Sequence, residues 1–220
     1  MKPTRHIQIR ILAAFAGLLL MAVATAGQPQ PDGTGIFVNK RPLKDFAYYA
    51  KGKIESKAIN LGAPFSVEVK GKLDKSGKID PATIVYTKSE GDKQMVEIVK
   101  KAIESVNDAG YLDYVSKLGH GGGDVIIRAA QDDSTFTSSL SADALDERKA
   151  RTTATGLQML VRMAIIGKEE STDKDELLIL QSLTVSTDGK TYTVKVNMPK
   201  ASFREMIERK LVVTDAEPKS

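Results

Sequence analysis

Cysteine and tryptophan are absent from this chain of 220 residues, and histidine occurs only twice. Without cysteine there is no disulfide framework, thiol nucleophile, thiolate metal site or acylated lipoprotein-type cysteine. A domain of this size must then be held by its hydrophobic core alone. The histidine shortage excludes more. His6 lies in the N-terminal segment described below, which leaves His120 alone in the rest of the chain. Gly119-His-Gly-Gly-Gly123 has the letters of an esterase oxyanion loop. That chemistry also needs a serine on a G-x-S-x-G elbow and a separate histidine base, and the chain offers neither. The glycines read instead as a pliant helix-to-strand connection. Asp124 opens a strand, so the helix N-terminus that a phosphate cradle uses is missing too.

One histidine and no cysteine leave only carboxylates for a metal, which disfavours zinc and copper. Asp74-x-Ser76-x-x-x-Asp80 and the acidic run 169–176 suit calcium by composition. Neither has EF-hand spacing, and both read as solvated turns. Rossmann and P-loop glycine patterns do not occur. Asp132 and Asp133 are neighbours on a turn and point apart, while Asp143, Asp146 and Glu147 sit where negative charge favours a helix start. The expectation is no catalytic residue, no metal ligand and no cofactor.

Long apolar runs are scarce as well. Ile11–Val23 is the exception, preceded by Lys2, Arg5 and Arg10 and followed by Ala24-Thr25-Ala26. A basic flank, a short apolar stretch and small residues at −3 and −1 make a secretory signal peptide over residues 1–26. The rival is an inner-membrane anchor. Residues 11–26 would form about 24 Å of helix at about 1.5 Å per residue, short of the ~30 Å hydrocarbon core. Export therefore gives a mature chain from Gly27, periplasmic or extracellular. Removing Lys2, Arg5 and Arg10 leaves 29 cations against 28 acids. That near-neutral balance gives no general case for nucleic acid.

Residues 27–35 (QPQPDGTG and its preceding Gly) read as a flexible leader, and 214–220 as a frayed tail. Between them, 36–213 reads as an α+β domain in two halves, about 36–120 and 121–213. Phe65–Lys70 alternates apolar and polar, the period of a half-buried strand. Asp74–Gly77 turns the chain, and Ile79–Thr87 returns as a strand interrupted near Pro81. Lys93–Val106 places Met95, Ile98, Val99, Ala102, Ile103 and Val106 on one helical stripe, with Asp92 as N-cap. Shorter helices are expected over Leu43–Lys51 and Tyr111–Leu118. Asp124–Ala130 and Ser134–Leu140 form a hairpin. A long helix spans about Ala144–Ile166 with Leu145, Leu157, Leu160 and Val161 on its buried side. Leu178–Val185 and Thr191–Asn197 flank an Asp188-Gly189 turn, and a last helix starts at Pro199.

Strand, turn with Gly-Lys, strand, helix thus occurs twice, at 65–106 and 178–211. It fits either a remote duplication or two common hairpin-helix units. The expected fold is α+β: a largely antiparallel sheet with helices packed on one face. Val67, Val69, Ile98, Val99, Ile103, Ile126, Leu157, Leu160, Val161, Leu183, Val185, Val194 and Phe203 are the expected core.

What remains is a mixture of cations and aromatics. Lys40, Arg41, Lys44, Lys51, Lys53 and Lys57 interleave with Phe37, Phe46, Tyr48 and Tyr49. Outside the cytoplasm such a face suits an anionic envelope component or an acidic protein surface rather than nucleic acid. Lys40, Arg41, Lys44, Lys51, Lys53 and His120 are the candidate binding residues. The alternative for the aromatics is core packing.

Residues 64–106, PFSVEVKGKLDKSGKIDPATIVYTKSEGDKQMVEIVKKAIESV, resemble the C-terminal domain of TonB-type energy transducers. The shared pattern is a strand, a Gly turn, a second strand and a helix with a regular apolar stripe. The resemblance implies a TonB-like α/β sandwich in the cell envelope. The aromatic-Pro dipeptide and long Pro-rich spacer of that family are missing here, and no functional residue carries over. The expected function is a non-enzymatic bacterial envelope interaction or binding module. A small-ligand-binding periplasmic protein and a carboxylate-based hydrolase are the alternatives.

Overall fold

The computed structural model of the chain describes residues 39–119, 123–168 and 174–212. The expected signal segment, leader and tail, together with Phe37 and His120, lie outside the described residues. In chain order the elements are α1 (Arg41–Glu55), β1 (Phe65–Lys72), β2 (Val85–Gly91), α2 (Lys93–Ala109), α3 (Asp113–Gly119), β3 (Asp124–Gln131), β4 (Thr135–Asp143), α4 (Glu147–Lys168), α5 (Lys174–Gln181), β5 (Leu183–Asp188), β6 (Thr191–Pro199) and α6 (Lys200–Val212).

Local chemistry explains most boundaries. Asp92 accepts a bond from the Met95 amide and caps α2, which ends at Gly110 in the left-handed conformation, φ 82°. Pro42 occupies the first turn of α1, where a missing N–H costs nothing. Between β1 and β2 the Asp74 carboxylate accepts from the amides of Ser76 and Lys78 and from the Ser76 hydroxyl. That closes a tight turn in which Gly77 has φ +71°. The turn rests on the start of α3, since a Cβ at Gly77 would stand 2.2 Å from the Asp113 Cα.

All six strands join one antiparallel sheet in the order β2-β1-β3-β4-β6-β5. Alternation sorts its faces. Val67 and Val69 of β1, Val125, Ile127 and Ala129 of β3, Phe136 and Leu140 of β4, and Tyr192, Val194 and Val196 of β6 are buried. The helices pack on that side. Their apolar residues join those of the sheet in one contiguous core running from Leu43 to Ile207. At its centre Phe136 of β4 stacks on Phe203 of α6, ring centroids 3.7 Å apart. Gln131, itself buried, donates from Nε2 to the carbonyls of Leu61 and Ala63 and ties the approach to β1 onto β3. The expected α+β class, an antiparallel sheet with helices on one face, is the class observed.

Several details differ from expectation. The second strand does not run Ile79–Thr87. Ile79 makes only an isolated bridge to Leu73, Pro81–Thr83 is a 3₁₀ turn capped by Asp80, and β2 begins at Val85. Proline removes a ladder donor exactly where a strand would need one, so pairing restarts beyond it. Leu178–Gln181 is helical, and β5 starts at Leu183. Four consecutive apolar residues fit either element. Here Asp175 and Glu176 in the first turn favour the helix. Ile126 is only half-buried, because β3 turns Val125 and Ile127 to the core. Val161, Leu183 and Val185 are partly buried, and Leu145 and Leu160 are exposed. The two hairpins also enter the sheet in opposite order. β1 is interior with β2 at the edge, whereas β5 is at the edge with β6 interior.

Candidate functional site

The cation-aromatic segment folds as α1. Leu43, Phe46 and Ala50 form its buried side. Tyr49 bridges to α2: its hydroxyl donates to Glu97 at 2.8 Å, and Lys53 and Lys101 lie over its ring at 5.6 and 4.8 Å. Burial and the Glu97 carboxylate raise the Tyr49 pKa. Lys53 is therefore engaged with a ring of its own helix, while Glu97 and Lys101 hold that ring to α2. Arg41 pairs with Asp45 and Lys51 with Glu55, both one helical turn apart. Lys40 and Lys44 are exposed. Lys44 and Tyr48 stand exposed one turn apart on α1 and the partly buried Lys51 continues their row, so they make a surface row rather than a cavity. The sixth candidate, His120, lies outside the described residues. The structure thus places five of the six along one helix and converges none of them on a pocket.

The sheet face away from the helices is polar and carries a charge network. Glu68 of β1 accepts from the Thr87 hydroxyl at 2.6 Å and from the Arg128 guanidinium, with Lys70 at 3.7 Å. The Thr87 bond and Arg128 hold its carboxyl below the ordinary glutamate range. A depressed folded-state pKa stabilises above the unfolded pKa and is lost as pH falls through the folded value. Glu68→Gln is thus expected to lower stability at neutral pH and to converge with the parent chain below about pH 4. Urea unfolding across a pH series reads both limbs. A deficit that persists unchanged in acid would refute the role of the carboxylate charge.

The sheet ends differ. Asn197 N–H bonds to Ser182 O, so by antiparallel alternation Val185 turns its carbonyl to the open side of β5. Gln158 of α4 fills that position, donating to Val185 O at 3.0 Å. At the other end Asp92 N–H bonds to Pro64 O. With Ser66 opposite Glu90 and Glu68 opposite Lys88, the same alternation points the Ser89 and Gly91 backbone groups away from β1. β2 is exposed along almost its whole length, Val85 included. Lys88 and Glu90 pair at 3.3 Å along it.

A third feature was not legible as a site in the sequence. Helix α4 exposes Met159, Leu160, Met163 and Ile166. One turn before them an open recess of about 730 Å³ is lined by Glu147, Arg148, Arg151, Thr152, Thr155 and Gly156. Among the described residues no group of His, Asp and Glu could hold a metal ion, and no helix is long and apolar enough to cross a membrane. Fold and surface together define a two-layer α+β sandwich with one sheet face and one sheet edge in solvent. No family model, curated protein or solved structure matches the chain.

Proposed function

We propose that this chain is an exported, non-enzymatic interaction module of the bacterial envelope, and that it takes an extended segment of a partner onto the open edge of β2. The observation that carries the reading is the asymmetry of the sheet. On one edge Gln158 occupies the outward Val185 carbonyl, while the other turns the backbone groups of Ser89 and Gly91 outward. Strand addition uses such groups for affinity and flanking side chains for choice of partner. Lys88 and Glu90 fit this role as well, because charges on an edge oppose indiscriminate pairing without blocking a matched strand. The TonB-like pattern at 64–106 lies over β1, β2 and α2, the same part of the fold. The N-terminal segment supports delivery outside the cytoplasm.

Ser89→Pro tests the edge. Its outward N–H is lost without removing a bond to β1, and proline is tolerated on edge strands. With a photo-crosslinking residue at Lys88 in an exporting bacterium, the parent chain is expected to yield a discrete envelope adduct. Ser89→Pro should abolish that adduct while cooperative unfolding is retained. An adduct that survives the substitution would sink strand addition. Mass spectrometry of the same exported chain should find an N-terminus near Gly27, and recovery from the cytoplasm with Met1 intact would overturn export.

A further inference from the structure

We propose that the open sheet face carries a binding site for a phosphomonoester, seated over Ser139 between Arg128 and Lys195. The site lies on the face of the sheet and not at the β2 edge, so the inference stands independently of strand addition. Register, an unsatisfied hydroxyl and charge carry it together.

Register sets the frame. Lys88 of β2, Glu68 of β1, Arg128 of β3, Ser139 of β4, Lys195 of β6 and Thr184 of β5 are direct cross-strand partners and form one row across all six strands. The row faces away from the helices, because the residues beside it along the strands are core: Val67, Val69, Ile127, Ala129, Leu140, Val194 and Val196 are buried. Charge alternates from Lys88 to Glu68 to Arg128. The next place in that alternation calls for an acid. Ser139 stands there instead, with Lys195 beyond it. Among the described residues Lys195 is exposed and forms no ion pair.

The hydroxyl points to a ligand at that gap. Ser139 is only 7% exposed. A serine on a face without a covering layer reaches that burial at the floor of a hollow between longer side chains, and its direct neighbours in the row are Arg128 and Lys195. Ser141, as buried on the same strand, satisfies its hydroxyl on Thr193 at 2.8 Å, and Thr137 donates to Asn197 at 3.0 Å. Ser139 has no such partner among the described residues. Gln131 Oε1 is the buried side-chain atom sealed there without a partner, so the Ser139 hydroxyl keeps its opening to solvent, up the hollow.

Charge and shape choose the ligand. Lys88 is paired with Glu90 along β2. Lys70, Arg128 and Lys195 then stand against Glu68 alone, three positive charges to one negative. The excess of two matches a phosphomonoester, which carries about −1.5 to −2 at neutral pH. Arg128 gives its Nε to Glu68 and keeps its terminal N–H groups for a second acceptor. Adjacent strands lie about 4.8 Å apart, so Arg128 and Lys195 rise about 10 Å apart, with Ser139 midway. Donors thus approach from both sides and from below, one direction for each of the three terminal oxygens of a monoester. A phosphodiester offers two free oxygens and one charge, and a carboxylate likewise, so each leaves part of the row unmatched.

Titration of the chain from Gly27 with methyl phosphate, followed through backbone amide NMR shifts, tests the proposal. The expected result is a saturable set of shifts centred on Arg128, Ser139 and Lys195, with dimethyl phosphate and acetate binding much more weakly. Lys195→Gln and Ser139→Ala should each weaken methyl phosphate by about fivefold or more. Ser139→Ala should do so with an unchanged thermal midpoint, because its hydroxyl bonds nothing in the free chain. Lys75→Gln, at an exposed lysine of the turn between β1 and β2, should leave the affinity as it is. Shifts that never saturate, or an affinity indifferent to both site substitutions, would overturn the proposal. So would equal binding of methyl and dimethyl phosphate, or an equal loss in Lys75→Gln, since either result would reduce the site to a diffuse ion atmosphere.

Discussion

Phe136→Ala is expected to lower the stability of the chain by about 3–5 kcal/mol, and to do so in a single unfolding transition. Phe136 is fully buried on β4, near the middle of the sheet, and stacks on Phe203 of α6 with the ring planes 2° apart. Truncation removes one of the largest buried side chains and strips Phe203 of its ring partner. The site has little freedom to collapse, because Gln131 on one side and Met198 on the other are fixed opposite it by the sheet register. The single transition follows from continuity. β1 belongs to the first half of the chain and β3 and β4 to the second, yet their buried residues join the same core. Calorimetry of the parent and the variant reads both quantities. Two resolved peaks, with only one shifted, would mean that the halves hold separate cores. Leu160→Ala is the matched control. It truncates an exposed residue and should change stability by no more than about 0.5 kcal/mol.

The second large effect is expected at Gly77. Its φ of +71° lies in the left-handed region, where a side chain costs about 1–2 kcal/mol. Gly189, in the turn between β5 and β6, has φ +53° and shares that cost. The two glycines differ in their surroundings. Gly189 has nothing within 4 Å of a would-be Cβ, whereas at Gly77 the Asp113 backbone blocks it. Gly77→Ala must push the Asp74–Lys78 turn off the start of α3, an overpacking cost of about 1–3 kcal/mol more. We expect Gly189→Ala to cost about 1–2 kcal/mol and Gly77→Ala about 3 kcal/mol or more. Urea unfolding of the pair measures the difference. Equal losses would show that the turn and α3 are not in tight register.

The contrast between these glycines shows where sequence reading stops. Both turns were legible from their Gly-Lys chemistry, and both hairpins form. The docking of one turn on a helix start 36 residues later was not, because nothing local to Gly77 encodes Asp113. The same limit explains the strand after Asp74. Its apolar residues fit pairing from Ile79 onward, but Pro81 and the Asp80 cap move the ladder to Val85. The candidate surfaces follow suit. The α1 cations could be read from spacing, whereas the docking of Tyr49 on α2 depends on Glu97 and Lys101 of that other helix.

By itself the sequence determined the elements and the class of fold. Period 2 in β1, period 3.6 in α2 and the Asp92 signal at its start are properties of neighbours along the chain. Only the tertiary structure decided which strand ends the sheet and which side of a helix is covered. α4 carries apolar residues all round from Leu157 to Ile166, so its periodicity has no single phase. Burial of Leu157 and exposure of Leu160 follow from where β5 and β6 lie against the helix, a choice made by the sheet order rather than by α4. For the same reason β2 is open and β5 has α4 against it, with Gln158 on the Val185 carbonyl. An edge is defined by what fails to pair with it, and that is a property of the whole sheet.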